Sequence, residues 1–274
     1  MSSCGVARES GAALPIIALR EDLTRCGFGV IRNFLRPTLA MALARSFTSL
    51  QQGLPVADLL GGGRREWLPP FEAPWTNFEL VQHPLLTELC RMYLGDDVRL
   101  DALTVTTAPF GASAQAMHRD IVEGPAAALT IQVPLVDLPI SGGGLAIQPT
   151  SHALSFVECD EADATVQSAM RAGDAMAYDP RLCHRGTANM QVMGSRPVIY
   201  LLFKSASAQL TGYAPFELNL RFGSPGLETV LDYRWAFDEH HRGACFYGNC
   251  TRPRMRAAHN ELPFAPLARV SPYL

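Results

Sequence analysis

Lysine is almost missing from this chain. Of its 23 basic residues only Lys204 is a lysine, and arginine supplies the rest. The formal charge is −3, so there is no basic excess to argue for a nucleic-acid or membrane-surface partner. No apolar run approaches the length of a membrane span. Residues Met1 to Gly11 lack the apolar core of a signal peptide, which places the chain, as an expectation, in the cytoplasm. Seven cysteines are present (Cys4, Cys26, Cys90, Cys159, Cys183, Cys245 and Cys250), an odd number with no Cys-x-x-Cys spacing. That pattern favours reduced thiols over a disulfide framework. Gly61-Gly62-Gly63 is not followed by the Gly-Lys of a phosphate loop.

What is present is a 274-residue chain with 48% hydrophobic residues, enough for one large core. The first 13 residues are small and polar and are expected to fray. Ile16 to Cys26 reads as a helix ended by Gly27, and Phe28 to Leu35 as a strand. Pro37 opens a second helix, with Leu39, Leu43, Phe47 and Leu50 at helical spacing. Gln51 to Phe78 is the least regular stretch, and its Trp67, Phe71 and Trp75 suit either a flap over a pocket or an anchored surface loop. After a helix from Pro84 to Tyr93, strands are expected at Val98–Thr107, Ala116–Ile121, Ala128–Leu135, Gly144–Gln148, Asp174–Tyr178 and Val198–Phe203. Short strands separated by turns and preceded by helices predict a mainly β fold, a sandwich or barrel with flanking helices. With no linker or repeat, 1–274 reads as a single domain with a C-terminal extension over 205–274.

The chemistry gathers at Gln115-Ala116-Met117-His118-Arg119-Asp120. In an extended strand His118 and Asp120 project to the same side, so an imidazole and a carboxylate can meet one metal. His184 is the best third ligand, completing the 2-His-1-carboxylate facial triad of non-haem Fe(II). Arg196 follows twelve residues later, ahead of the strand-like run Pro197 to Phe203.

In order and spacing these motifs resemble the phytanoyl-CoA dioxygenase family. Gly27 to Leu35 looks like the family's opening strand, and His118-Arg119-Asp120 like its His-x-Asp. Gly142-Gly143-Gly144-Leu145-Ala146-Ile147-Gln148-Pro149-Thr150-Ser151-His152 is similar to its Gly-rich turn, and Gly173-Asp174 to the pair before a later strand. The turn departs from the pattern at Gly142, at Leu145-Ala146 and at Thr150.

The resemblance implies a double-stranded β-helix (jelly-roll, cupin-like) core, with Fe(II) held by His118, Asp120 and His184. It implies 2-oxoglutarate and O2 as co-substrates, and oxidation of a C–H bond with release of succinate and CO2. Arg196 would take the distal carboxylate of 2-oxoglutarate, since guanidinium pairs bidentately with carboxylate. Gln115 resembles a glutamine that contacts 2-oxoglutarate in natural-product members, although its amide could equally face solvent. Asp120 disfavours halogenation, because it fills the position a halide takes in related halogenases.

Asn189, His152, Arg119 and Asp174 read as structural, and Met117, Tyr178 and Trp235 as candidate pocket walls. Asp238 to His241, Cys245 and Cys250 fit no zinc spacing. Arg252, Arg254 and Arg256 read as a solvated face. The expected partner is a small organic molecule, with neither nucleic acid nor membrane, and natural-product biosynthesis is the favoured setting. No oligomeric state is predicted. The alternatives are a non-catalytic jelly-roll binding protein and a zinc hydrolase, neither of which gives Arg196 a task.

Overall fold

The computed structural model describes residues 4, 7–9, 16–51, 63–67, 69, 73–121, 128–140, 144–154, 159, 165–166, 169–190, 194–205 and 220–221. Three helices form where their apolar spacing predicts. Helix α1 (Ile16–Cys26) buries Leu19, Leu23 and Cys26 along one stripe. It stops at Gly27, whose φ of +84° ends the helix and whose N–H reaches back to Leu23 O at 2.9 Å. Helix α2 (Pro37–Gln51) starts on proline and buries Leu39, Leu43 and Phe47. The short α3 (Phe78–Val81) is capped by the Asn77 side chain. Helix α4 (Pro84–Leu94) is capped by His83 and followed by Gly95 at φ +96°.

The strands are β1 (Ala7–Glu9), β2 (Phe28–Arg32), β3 (Arg65–Trp67), β4 (Val98–Pro109), β5 (Ala128–Pro134), β6 (Leu145–Ile147), β7 (Thr165–Val166), β8 (Ala175–Tyr178), β9 (His184–Gly186), β10 (Ser195–Ser205) and β11 (Leu220–Arg221). They form a large sheet in the order β1-β2-β8-β5-β10-β4-β11, with β3 also on β4, and a small sheet in the order β7-β6-β9.

The large sheet has two different faces, and strand alternation writes both. On β10, Ile199, Leu201 and Phe203 face the helices, joining Leu19, Leu43, Phe47, Leu86 and Leu89 in the main core. Val198 faces the small sheet with Met176, Tyr178, Leu145, Ile147 and Leu182. Strand β8 repeats the rule, with Ala175 and Ala177 turned to the helices and Met176 and Tyr178 to the small sheet. Leu100 and Leu103 on β4 are an odd number apart yet both enter the helix-side core. A bulge opposite Leu202 and Phe203 slips the register by one and makes this possible. Two opposed sheets with helices outside form the expected jelly roll.

Several expectations are corrected. Residues 7–9 are not frayed: β1 pairs in parallel with β2, Ala7 opposite Val30 and Glu9 opposite Arg32. The opening strand ends at Arg32 rather than Leu35, because Asn33 turns at φ +52° and donates its N–H to Asp174 Oδ1. The stretch before Phe78 contains β3, laid antiparallel on β4. Ala116 to Ile121 is not a strand but a single bridge at His118, for reasons given below.

The cysteines are not all reduced: Cys4 is bonded to Cys26 and Cys159 to Cys183, leaving Cys90 as the buried free thiol among the described residues. The partners are 22 and 24 residues apart, so tertiary folding rather than a local motif joins them. No described helix is long and apolar enough to cross a membrane. Beyond β11 the readings at Trp235, Asp238 to His241, Cys245, Cys250, Arg252, Arg254 and Arg256 lie outside the described residues, as do Gly61, Gly62 and Phe71.

Candidate metal centre

His184 opens β9, the edge strand of the small sheet, and is 4% exposed. His118 joins it through a two-bond bridge, His118 N to His184 O and His184 N to His118 O, each 2.9 Å. The pairing goes no further. The amides of Asp120 and Ile121 both turn to Pro180 O, at 3.0 and 3.1 Å, and bend the chain. The expected convergence of His118 and Asp120 is therefore present, although a bridge and a bend produce it rather than the alternation of a continuous strand. His118, Asp120 and His184 each offer one ligand atom, all within 4.8 Å of one another.

The hydrogen bonds around the two rings decide what this cluster suits. His118 Nδ1 lies 2.9 Å from Ala116 O, and His184 Nδ1 lies 2.8 Å from Leu182 O. A carbonyl only accepts, so each Nδ1 carries the proton and each Nε2 keeps a bare lone pair. Those lone pairs face Asp120: His118 Nε2 is 3.7 Å from Oδ1 and His184 Nε2 is 3.6 Å from Oδ2. Acceptors facing acceptors repel unless a cation lies between them. Burial lowers the His184 pKa, with Asp120 opposing and His118 adding to the shift, and so favours the neutral, ligand-competent ring. Tyr178 O–H donates to Asp120 Oδ2 at 3.2 Å and fixes the carboxylate, as hydrogen bonds to metal-ligating carboxylates commonly do. The donor set and its orientation fit Fe(II).

Arg196 is 5% exposed at the start of β10. Its Nη2 donates to Thr187 O at 3.0 Å, and its Nη1 reaches Thr187 Oγ1 at 3.4 Å. Burial lowers its pKa to about 10, Tyr200 opposing the shift and Arg64 adding to it, so it remains a cation at neutral pH. Gln115 is tied to the ligand strand on both sides: its N–H donates to Gly186 O at 3.0 Å and its Oε1 accepts from Gly186 N at 2.9 Å. A Cβ at position 186 would lie 2.6 Å from that Oε1, so only glycine allows the contact. The Gln115 side-chain oxygen is thus committed to the strand that carries His184.

The residues read as structural occupy structural positions. Asn189 Nδ2 donates to Ala108 O, and Arg119 donates to Ser151 O, Leu154 O and Cys183 Sγ. His152 Nε2 lies 3.1 Å from Thr24 O, at the end of α1. Asp174 accepts from Arg32, Asn33 N and Arg171 N. Arg64 was missed. It is 2% exposed and donates to Ser113 O, to Thr187 O at 2.8 Å and to Gly186 O at 3.5 Å. It clamps the strand that carries His184 from a segment whose sequence shows no periodicity.

A jelly roll with a His/Asp/His cluster on the edge strand of its small sheet and the segment bridged to it has the architecture of a metal-dependent oxygenase of the double-stranded β-helix class. Residues 24–193 match the phytanoyl-CoA dioxygenase (PhyH) family, and the chain belongs to it. It is an Fe(II)- and 2-oxoglutarate-dependent dioxygenase. It is 27% identical over 211 residues to the dioxygenase aneA of Aspergillus aculeatus, covering 67% of this chain and 69% of that protein. Its fold is similar to that of the epimerase SnoN, solved with Fe3+, alpha ketoglutarate and nogalamycin RO. That match has 21% identity and a TM-score of 0.58, over 85% of this chain and 96% of SnoN. AviO1 from Streptomyces viridochromogenes is also similar, with 21% identity and a TM-score of 0.56 over 73% of this chain and 99% of that one.

Proposed function

We propose that this chain oxidises a C–H bond of a small organic molecule in natural-product biosynthesis, by hydroxylation, desaturation or ring formation. The observation that carries the reading is the pair of Nε2 lone pairs facing a tyrosine-held carboxylate, with a buried arginine bonded to Thr187, three residues past His184. The setting is suggested by SnoN and the carbocyclase SnoK, both described as enzymes of nogalamycin biosynthesis. With iron bound, the centre would couple decarboxylation of 2-oxoglutarate by O2, giving succinate and CO2, to oxidation of the substrate.

The chain's own part is placement and charge. His118, Asp120 and His184 would hold the iron on one side and leave its remaining positions open. Arg196 would receive the distal carboxylate of 2-oxoglutarate, with Thr187 Oγ1 beside it. The Gln115 amide nitrogen, its oxygen already committed to Gly186, would donate to the same co-substrate. Tyr178 would keep Asp120 from rotating when the cation binds.

The test is turnover of 2-oxoglutarate with Fe(II) and O2, alone and with a panel of polycyclic aromatic compounds. Succinate release that requires all three components, and that a panel member accelerates while itself gaining one oxygen or losing two hydrogens, supports the reading. Iron-loaded protein that releases no succinate under any of these conditions contradicts it.

A further inference from the structure

The inner face of the large sheet carries a polar row that the iron chemistry does not use. Strand β3 pairs with β4 in the register Arg65–Thr107, Glu66–Thr106 and Trp67–Val105. Trp67 and Val105 both lie in the helix-side core, so their neighbours Glu66 and Thr106 face inward. Tyr200 lies opposite Thr104 on one side and Gln132 on the other, and both share that inner face. The row Glu66, Thr104, Tyr200, Gln132 thus crosses four strands, on the side where Tyr178 holds the metal ligand Asp120.

Two members of the row lack what a protein normally supplies. Glu66 forms no ion pair with any described residue. Of its neighbours in sequence, Arg64 is hydrogen-bonded to Ser113, Gly186 and Thr187, and Arg65 pairs on the other face, while the charges of Arg64 and Arg196 both act on Tyr200 in the same row. Gln132 is 2% exposed, and its Oε1 has no hydrogen-bond partner among the described residues. Both unsatisfied groups are acceptors. Glu66, Thr106 and Tyr200 are each partly accessible. Burying a carboxylate without a cation is expensive, and the cost is removed when a ligand brings the cation.

We propose that Glu66 is the specificity-determining residue of the substrate pocket and that it binds a protonated amine of the substrate. An alkylammonium carries three N–H donors and no acceptor, which suits this wall. The unpartnered Gln132 Oε1, three strands away, would accept from a neutral N–H or O–H on the same molecule. Burial raises the Glu66 pKa, hydrogen bonding to Thr104 opposes this, and the charge of Asp120 adds to it. This inference deepens the oxygenase reading and rests on it.

The experiment compares two probes of one shape, cyclohexylmethylamine and cyclohexylmethanol, by anaerobic calorimetry on protein loaded with Fe(II) and 2-oxoglutarate. Wild type should bind the amine about tenfold or more tightly than the alcohol, a difference of about 1.4 kcal/mol. Glu66→Gln should bind the two alike, and Glu66→Asp should retain part of the preference and covers the case in which Glu66→Gln does not fold. The visible absorption of the Fe(II)–2-oxoglutarate complex should be unchanged in both variants, which separates recognition from a damaged fold. Equal binding of the probes by wild type, no binding of the amine, or an amine preference that survives in Glu66→Gln would each overturn the inference. If that absorption never forms in wild type, the oxygenase reading is what fails, and the amine preference of the iron-free protein then decides the role of Glu66 separately.

Discussion

Asp179 and Asp120 lie on neighbouring turns joined by the hydrogen bonds from the Asp120 and Ile121 amides to Pro180 O. Asp179 is 1% exposed and saturated: Tyr93 O–H donates at 2.7 Å, Arg181 Nε at 3.0 Å, Arg181 Nη2 at 2.6 Å and the Arg181 N–H at 2.9 Å. Asp120 accepts one hydrogen bond among the described residues, from Tyr178, and otherwise faces two imidazole lone pairs. A carboxylate whose bonds are all made holds the fold together, whereas one left open is kept for something the chain does not supply. The first turn serves the second, since the segment it braces presents Pro180 O to Asp120 and Leu182 O to His184.

Exchanging the two roles should separate activity from stability. Asp120→Asn is expected to abolish turnover and iron binding, measured by metal content after dialysis, while shifting stability by less than about 1 kcal/mol. Asp179→Ala should do the reverse. With Arg181 and Tyr93 left unpaired in the interior it should cost about 3–5 kcal/mol in urea unfolding, and the protein that remains folded should still bind iron.

Arg196→Lys keeps the charge but loses the fork. It should weaken 2-oxoglutarate about ten- to hundredfold, from a loss of about 1.5–3 kcal/mol, with iron affinity unchanged in a metal titration. The last variant is the sharpest test of the comparison. Tyr178→Phe removes the one hydrogen bond the Asp120 carboxylate accepts among the described residues, and it should lower iron affinity about 10–100-fold while leaving the unfolding midpoint nearly unmoved. An unaltered iron affinity in that variant would mean that Asp120 needs no positioning.

The sequence made much of this legible where chemistry or periodicity is local. The stripes of α1, α2 and α4 and the alternation of β8 and β10 follow from neighbouring residues alone, and His118, Asp120 and His184 stood out by type and order. What escaped depends on distant partners. β1 and β3 are three residues each, too short to show a period, and exist because β2 and β4 offer open edges. The bend at Asp120 comes from a carbonyl 60 residues away in sequence, Pro180 O. The two disulfides and the clamp by Arg64 are products of the same long-range closure.

His118, Asp120 and His184 are proposed to bind Fe(II), and Arg196 to fix 2-oxoglutarate. Anaerobic absorption spectroscopy tests both at once, through the weak visible charge-transfer band of the chelated complex. Wild type should develop the band when 2-oxoglutarate follows Fe(II), His184→Ala should lose it, and Arg196→Ala should show it weakened at the same co-substrate concentration. A well-folded, iron-loaded wild type without the band would contradict the account.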